Sequence, residues 1–69
     1  MSDHVYAVTE IVGSSSKSID DAIRKAIKTA SKSLRNLDWF EVLETRGSID
    51  GGEISHFQVA LKIGFRHED

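Results

Sequence analysis

This chain has only 69 residues and no cysteine, which limits the kinds of interaction that can stabilise its fold. A domain of this size buries only about 60% of the surface that its unfolded chain exposes. Small domains usually obtain the missing stability from disulfides, a structural metal or other subunits. Disulfides and thiolate zinc sites require cysteine, and the three histidines, His4, His56 and His67, lack metal-ligand spacing. We therefore expect one self-associating domain, spanning residues 1–69, with no metal site.

The charge and hydropathy of the chain disfavour several classes of partner. Nine basic and eleven acidic residues give a formal charge of −2, so there is no net attraction to nucleic acid or anionic lipid. No apolar run reaches the roughly 18 residues that a membrane span requires. The first residues lack the basic start and apolar stretch of a secretory signal. These features predict a cytoplasmic protein that binds neither membranes nor nucleic acid.

The residue patterns predict a β-α-β-β order and an α+β fold. Residues 5–12, VYAVTEIV, are β-branched and aromatic, which favours a strand, and residues 13–17 resemble a loop in composition. Residues 38–48 and 53–66 predict two antiparallel strands joined by a turn at residues 50–52, whose glycines allow the positive φ of a tight hairpin. The last strand alternates cleanly, so one of its faces is apolar and the other is polar.

A helix is predicted to begin after Ser18, which is a suitable N-cap, with Asp20 and Asp21 in its first turn. Apolar residues recur at steps of three and four from Ile19 to Leu37, and this stripe should pack on the apolar face of the last strand. A basic stripe runs beside it: Arg24, Lys28, Lys32 and Arg35. No aromatic residue interleaves this stripe, so a solvated helix face is favoured over a nucleic-acid surface.

Trp39, the only tryptophan, is predicted to lie on the outer face of the sheet, away from the helix. An exposed aromatic residue of this size needs a partner, which is either another subunit or a ligand. Gln58 also points outward by parity, and its amide suits the polar edge of a heterocycle. Three carboxylates lie nearby in sequence, Asp38, Glu41 and Glu44, but a solvated polar edge is favoured over an acid–base site because no catalytic set accompanies them in the sequence.

Three segments together resemble the dodecin family: VYAVTEIVGSS, LRNLDWFEVLETRG and HFQVALKIGFR. The match spans nearly the whole chain in the family's order. The resemblance implies a β-α-β-β subunit whose antiparallel sheet wraps around its helix. It also implies a hollow homododecamer that binds flavins between subunits.

The resemblance further implies roles for individual residues. Trp39 corresponds to the tryptophan that stacks on the isoalloxazine ring, and Gln58 to the glutamine that hydrogen-bonds the pyrimidine edge of the flavin. Arg46 is suited to binding the phosphate of FMN. Asp38, which precedes Trp39, is a further candidate for flavin binding. Strict alternation, however, places Arg46 and Trp39 on opposite faces. A bulge near Gly47, strand twist or a contact across the oligomer could reconcile the two.

The sequence thus predicts a protein without catalytic activity that stores a flavin and quenches its photochemistry. FMN is the favoured cofactor, with riboflavin and FAD as alternatives. Coenzyme A is a further candidate ligand, for which Tyr6, Lys32 and Arg66 are the expected contacts. Two other classes remain: a flavin-dependent redox enzyme, and a structural or nucleic-acid-binding oligomer in which Trp39 only joins subunits.

Overall fold

One helix lies on one face of a three-stranded antiparallel sheet in the computed structural model, which describes residues 3–67. The elements are β1 (Tyr6–Ser15), α1 (Ile19–Ala30), β2 (Leu37–Asp50) and β3 (Glu53–Arg66). β3 is the central strand and pairs with both β1 and β2. The predicted β-α-β-β order and α+β class are therefore confirmed.

The first turn of α1 is fixed by side-chain hydrogen bonds. The Ser18 hydroxyl accepts a hydrogen bond from the backbone N–H of Asp21 at 3.0 Å, which confirms the predicted N-cap. The buried Ser15 hydroxyl donates to the Asp21 carboxylate at 2.6 Å and accepts from the backbone N–H of Lys17 at 2.9 Å. The hydrogen bond from Ser15 and the ion pair with Lys25 hold the pKa of Asp21 below its usual value.

The predicted bounds of three elements were wrong. The helix ends at Ala30 and not near Leu37, because the Ser31 hydroxyl donates to a helix carbonyl and Asn36 adopts a left-handed φ of 63° that turns the chain into β2. Lys32 and Arg35 therefore lie beyond α1 and do not extend its basic stripe. β1 continues to Ser15, through residues whose composition predicted a loop, because β3 supplies pairing partners for them. β2 is also longer than the predicted 38–48, whereas the predicted bounds of β3 are confirmed.

The buried core is small and lies between α1 and β3, as the apolar stripe and the alternation predicted. Its members come from both elements: Ala22, Ala26, Val59, Leu61 and Ile63. Gly13 of β1 allows the helix to approach the sheet. A Cβ at this position would collide with the carbonyl oxygen of Ala22 and lie 2.9 Å from the Cβ of Ala26.

The long β2–β3 hairpin leaves much of its apolar surface uncovered. α1 packs against β1 and β3, and β2 is exposed along almost its whole length. Phe40 lies on the same side as the core residue Ile63, yet it is 47% exposed. The radius of gyration is 14.4 Å, whereas a compact domain of this length has about 11 Å. The accessible surface is 5144 Å², against about 4,300 Å² for a compact monomer of this mass.

Candidate functional site on the outer face of the sheet

The face of the sheet opposite α1, called the outer face below, carries most of the residues that the sequence singled out. Because paired residues in adjacent strands share a face, the strand register places them. Tyr6 of β1 lies opposite Arg66 of β3. In β2, Trp39 lies opposite Gly64 and Arg46 lies opposite Gln58. The outward positions predicted for Trp39 and Gln58 therefore agree with the register.

A β-bulge in β2 brings Arg46 to the same face as Trp39. The register with β3 shifts at Leu43, which is an extra residue without a direct partner. One extra residue reverses the alternation beyond it. The bulge lies at Leu43 and not near Gly47, which was the position expected in one of the three explanations.

Trp39 forms an aromatic group at one end of the outer face. Three atoms of its benzene ring, Cδ2, Cε2 and Cζ2, lie close above Gly64. The residue is nevertheless 41% exposed, so the side of the ring away from the sheet is open. The Tyr6 ring lies beside it, with ring centroids 6.4 Å apart and an interplanar angle of 58°. A hydrogen bond to Asp38 raises the pKa of the Tyr6 hydroxyl.

Arg46 and Gln58 form a second, polar group towards the hairpin end of the same face. The Arg46 Nε donates to Gln58 Oε1 at 3.1 Å, and its Nη1 donates to Glu44 Oε2 at 3.0 Å. All three side chains are at or near the surface. Glu44 is exposed, in agreement with the solvated edge that the sequence favoured, and it also pairs with the arginine that the resemblance assigns to phosphate.

The aromatic and polar groups do not meet within one chain. Gly64, which lies under Trp39, is six positions from Gln58 along β3. At about 3.4 Å per residue the two groups are roughly 20 Å apart. The structure therefore brings Trp39 together with Tyr6 and Asp38, and Gln58 together with Arg46, but it does not join the two sets.

The three candidate contacts for coenzyme A are only partly brought together. Tyr6 and Arg66 are register partners on the outer face. Lys32 follows the end of α1, which packs on the opposite face. Within residues 3–67, no group of three His, Asp or Glu side chains is arranged to hold a metal ion. None of the helical structure in this range is long and apolar enough to cross a membrane.

Comparison with known proteins gives one consistent match. The family model described as Dodecin matches residues 5–68. The curated Dodecin of Thermus thermophilus is 46% identical over 65 residues, which cover 94% of each chain. The solved structure of dodecin from Streptomyces davaonensis has a TM-score of 0.94 and 53% identity, covering 99% of this chain and all of the other. That of dodecin from Streptomyces coelicolor has a TM-score of 0.94 and 54% identity, covering 100% and 99%.

Proposed function

The chain belongs to the dodecin family, and we propose on that basis that it binds FMN between the subunits of a hollow homododecamer. In this proposal Trp39 stacks on the isoalloxazine ring, Gln58 hydrogen-bonds its pyrimidine edge and Arg46 pairs with the phosphate. The bound flavin is stored, and the stacked indole quenches its excited state. The protein itself catalyses no reaction.

The observation that carries this proposal is the half-covered indole of Trp39. One face of the ring rests on Gly64, and the residue is still 41% exposed in the described chain. A flat aromatic ligand would bury the other face. Such stacking contributes about 0.5–1.5 kcal/mol beyond the burial of apolar area.

Two observations support a site that is shared between chains. The first is the distance of roughly 20 Å between Trp39 and Gln58, which exceeds the length of an isoalloxazine ring system. The second is the large apolar surface that one chain leaves exposed, especially on the β2–β3 hairpin. A ligand that contacts both residues therefore takes them from different subunits.

Arg46 favours FMN over riboflavin. Its guanidinium is beside Gln58, and of these two flavins only FMN carries a phosphate with which it can pair. The carboxylate of Glu44, 3.0 Å from the guanidinium, competes with that phosphate. We therefore expect Glu44→Gln to increase the affinity for FMN and leave that for riboflavin unchanged. Arg46→Gln should reduce the preference for FMN.

Fluorescence titration tests the proposal directly. FMN is titrated into the wild-type protein, into Trp39→Ala and into Phe40→Ala, which removes an exposed aromatic residue from the other face of the same strand. We expect quenching of bound FMN in the wild type and in Phe40→Ala, and a dissociation constant at least about tenfold higher in Trp39→Ala. Equal affinity in Trp39→Ala and the wild type, with the same state of assembly, contradicts the proposal.

Mixed assemblies test whether the site is shared. Trp39→Ala and Gln58→Ala chains are unfolded together and refolded as a mixture. If the two residues of one site come from different chains, a fraction of the sites in the mixture contains both native residues and recovers wild-type affinity. If both residues come from one chain, no site recovers it, and the shared site is refuted.

A further inference from the structure

We infer that Gly64 and Tyr6 are positioning residues that hold the Trp39 indole in the orientation needed for flavin stacking. This inference deepens the proposed function and depends on it. Neither residue needs to contact the flavin itself. Gly64 supplies the surface under the ring, and Tyr6 supplies a side wall.

At position 64, glycine is the only residue type that leaves room for the observed position of the Trp39 indole. A Cβ at this position would overlap Cε2 and Cζ2 of Trp39 and lie 2.6 Å from Cδ2. The three distances are close to one another, which requires the face of the ring, and not its edge, to cover the glycine. Any side chain at this position would lift or rotate the ring, which moves its open face as well. The backbone conformation is no reason for glycine here, since Gly64 is not among the residues with positive φ.

Tyr6 limits the rotation of the same ring from the side. Tyr6 and Trp39 belong to the two edge strands, and their rings meet above the central strand β3. The Tyr6 hydroxyl also interacts with Asp38, the residue that precedes Trp39, and this interaction raises the pKa of the hydroxyl. With Gly64 below and Tyr6 beside it, the indole has little freedom before any ligand binds. An aromatic side chain that is already oriented loses less conformational entropy on binding, so affinity increases.

A double-mutant cycle tests the role of Gly64. The dissociation constant for FMN is measured in the wild type, Gly64→Ala, Trp39→Ala and the double variant. We expect Gly64→Ala to weaken binding about tenfold when Trp39 is present and by no more than about twofold when residue 39 is alanine. An equal effect in both backgrounds overturns the positioning role. Full affinity in Trp39→Ala refutes the proposed flavin site instead, so the two failures are distinguishable.

Spectroscopy of the ligand-free protein provides a readout that does not depend on flavin. Since Trp39 is the only tryptophan, its emission maximum, iodide quenching and near-UV dichroism report the orientation and exposure of one ring. We expect all three to change in Gly64→Ala and to stay unchanged in Ala60→Val, which adds bulk to the same face of β3. Unchanged spectra in Gly64→Ala overturn the inference.

If Gly64→Ala fails to fold, a second double-mutant cycle, in which Tyr6 and Trp39 are substituted and FMN binding is measured, still tests the inference. Tyr6→Leu removes the ring beside Trp39, whereas Tyr6→Phe keeps the ring and removes only the hydroxyl that interacts with Asp38. We expect Tyr6→Leu to weaken FMN binding severalfold only when Trp39 is present, with a smaller effect for Tyr6→Phe. Wild-type affinity and wild-type indole spectra in Tyr6→Leu overturn the role of Tyr6.

Discussion

The tip of the β2–β3 hairpin presents two isoleucines that one chain does not bury. Ile49 and Ile54 face each other across the strands next to the Gly51–Gly52 turn, and they are 78% and 64% exposed. Complete burial of an isoleucine side chain contributes about 1.5–3 kcal/mol. With most of this area still exposed, contact with another subunit could contribute roughly 2–4 kcal/mol per chain for the pair. The double substitution Ile49→Ser, Ile54→Ser should therefore weaken subunit association by at least about thirtyfold.

Light scattering after size-exclusion chromatography measures this effect over a dilution series. We expect the double variant to dissociate at protein concentrations at which the wild type stays assembled. Glu53→Ser is the matched control, since it changes an exposed polar residue at the same tip and should leave assembly unaffected. If the double variant assembles like the wild type at every dilution, the hairpin tip is not an interface and the argument from exposed apolar area is wrong.

Three further predictions concern the packing and capping of α1. Gly13→Ala should destabilise the fold by about 1–3 kcal/mol in urea unfolding, because the new methyl group collides with helix backbone that cannot move freely; a change below the error of the measurement would contradict this. Ser15→Ala should cost about 1–3 kcal/mol in urea unfolding, since two backbone N–H groups lose their acceptor and the Asp21 carboxylate keeps only its ion pair with Lys25. The folded-state pKa of Asp21 is lowered from 3.8, so its stabilising effect is present above that pH and is lost as the pH falls through the folded-state value. Asp21→Asn should therefore flatten the acid limb of the stability profile, and an unchanged acid limb would refute this assignment.

The bounds of some elements were predicted correctly from the sequence and those of others were not, and the differences have physical reasons. β3 was predicted with its observed bounds because burial of one face imposes a strict alternation and the glycine pair fixes the turn. The end of α1 was missed because the apolar spacing continues into β2. The extension of β1 to Ser15 depends on pairing with residues more than 40 positions away. The composition of residues 13–15 alone does not indicate this pairing.

The site shows the same division between local pattern and tertiary structure. Parity placed Trp39 and Gln58 on the outer face, but it placed Arg46 on the wrong one. The bulge at Leu43 carries no glycine or other residue type that marks it. Gly64 was overlooked, although a glycine inside an otherwise regular strand often marks the close approach of another group. That signal would have directed attention to the position under the indole.

If the site is shared between chains, flavin binding and assembly depend on each other. A ligand that binds only the assembled state stabilises it by about 2.7 kcal/mol per site at a concentration one hundred times its dissociation constant. This is similar to the roughly 2–4 kcal/mol per chain that the serine substitutions at Ile49 and Ile54 remove. Saturating FMN should therefore restore much of the assembly of that variant, and Trp39→Ala in the same background should abolish the rescue. A rescue that persists without the indole would mean that FMN stabilises the assembly from a site that does not include Trp39.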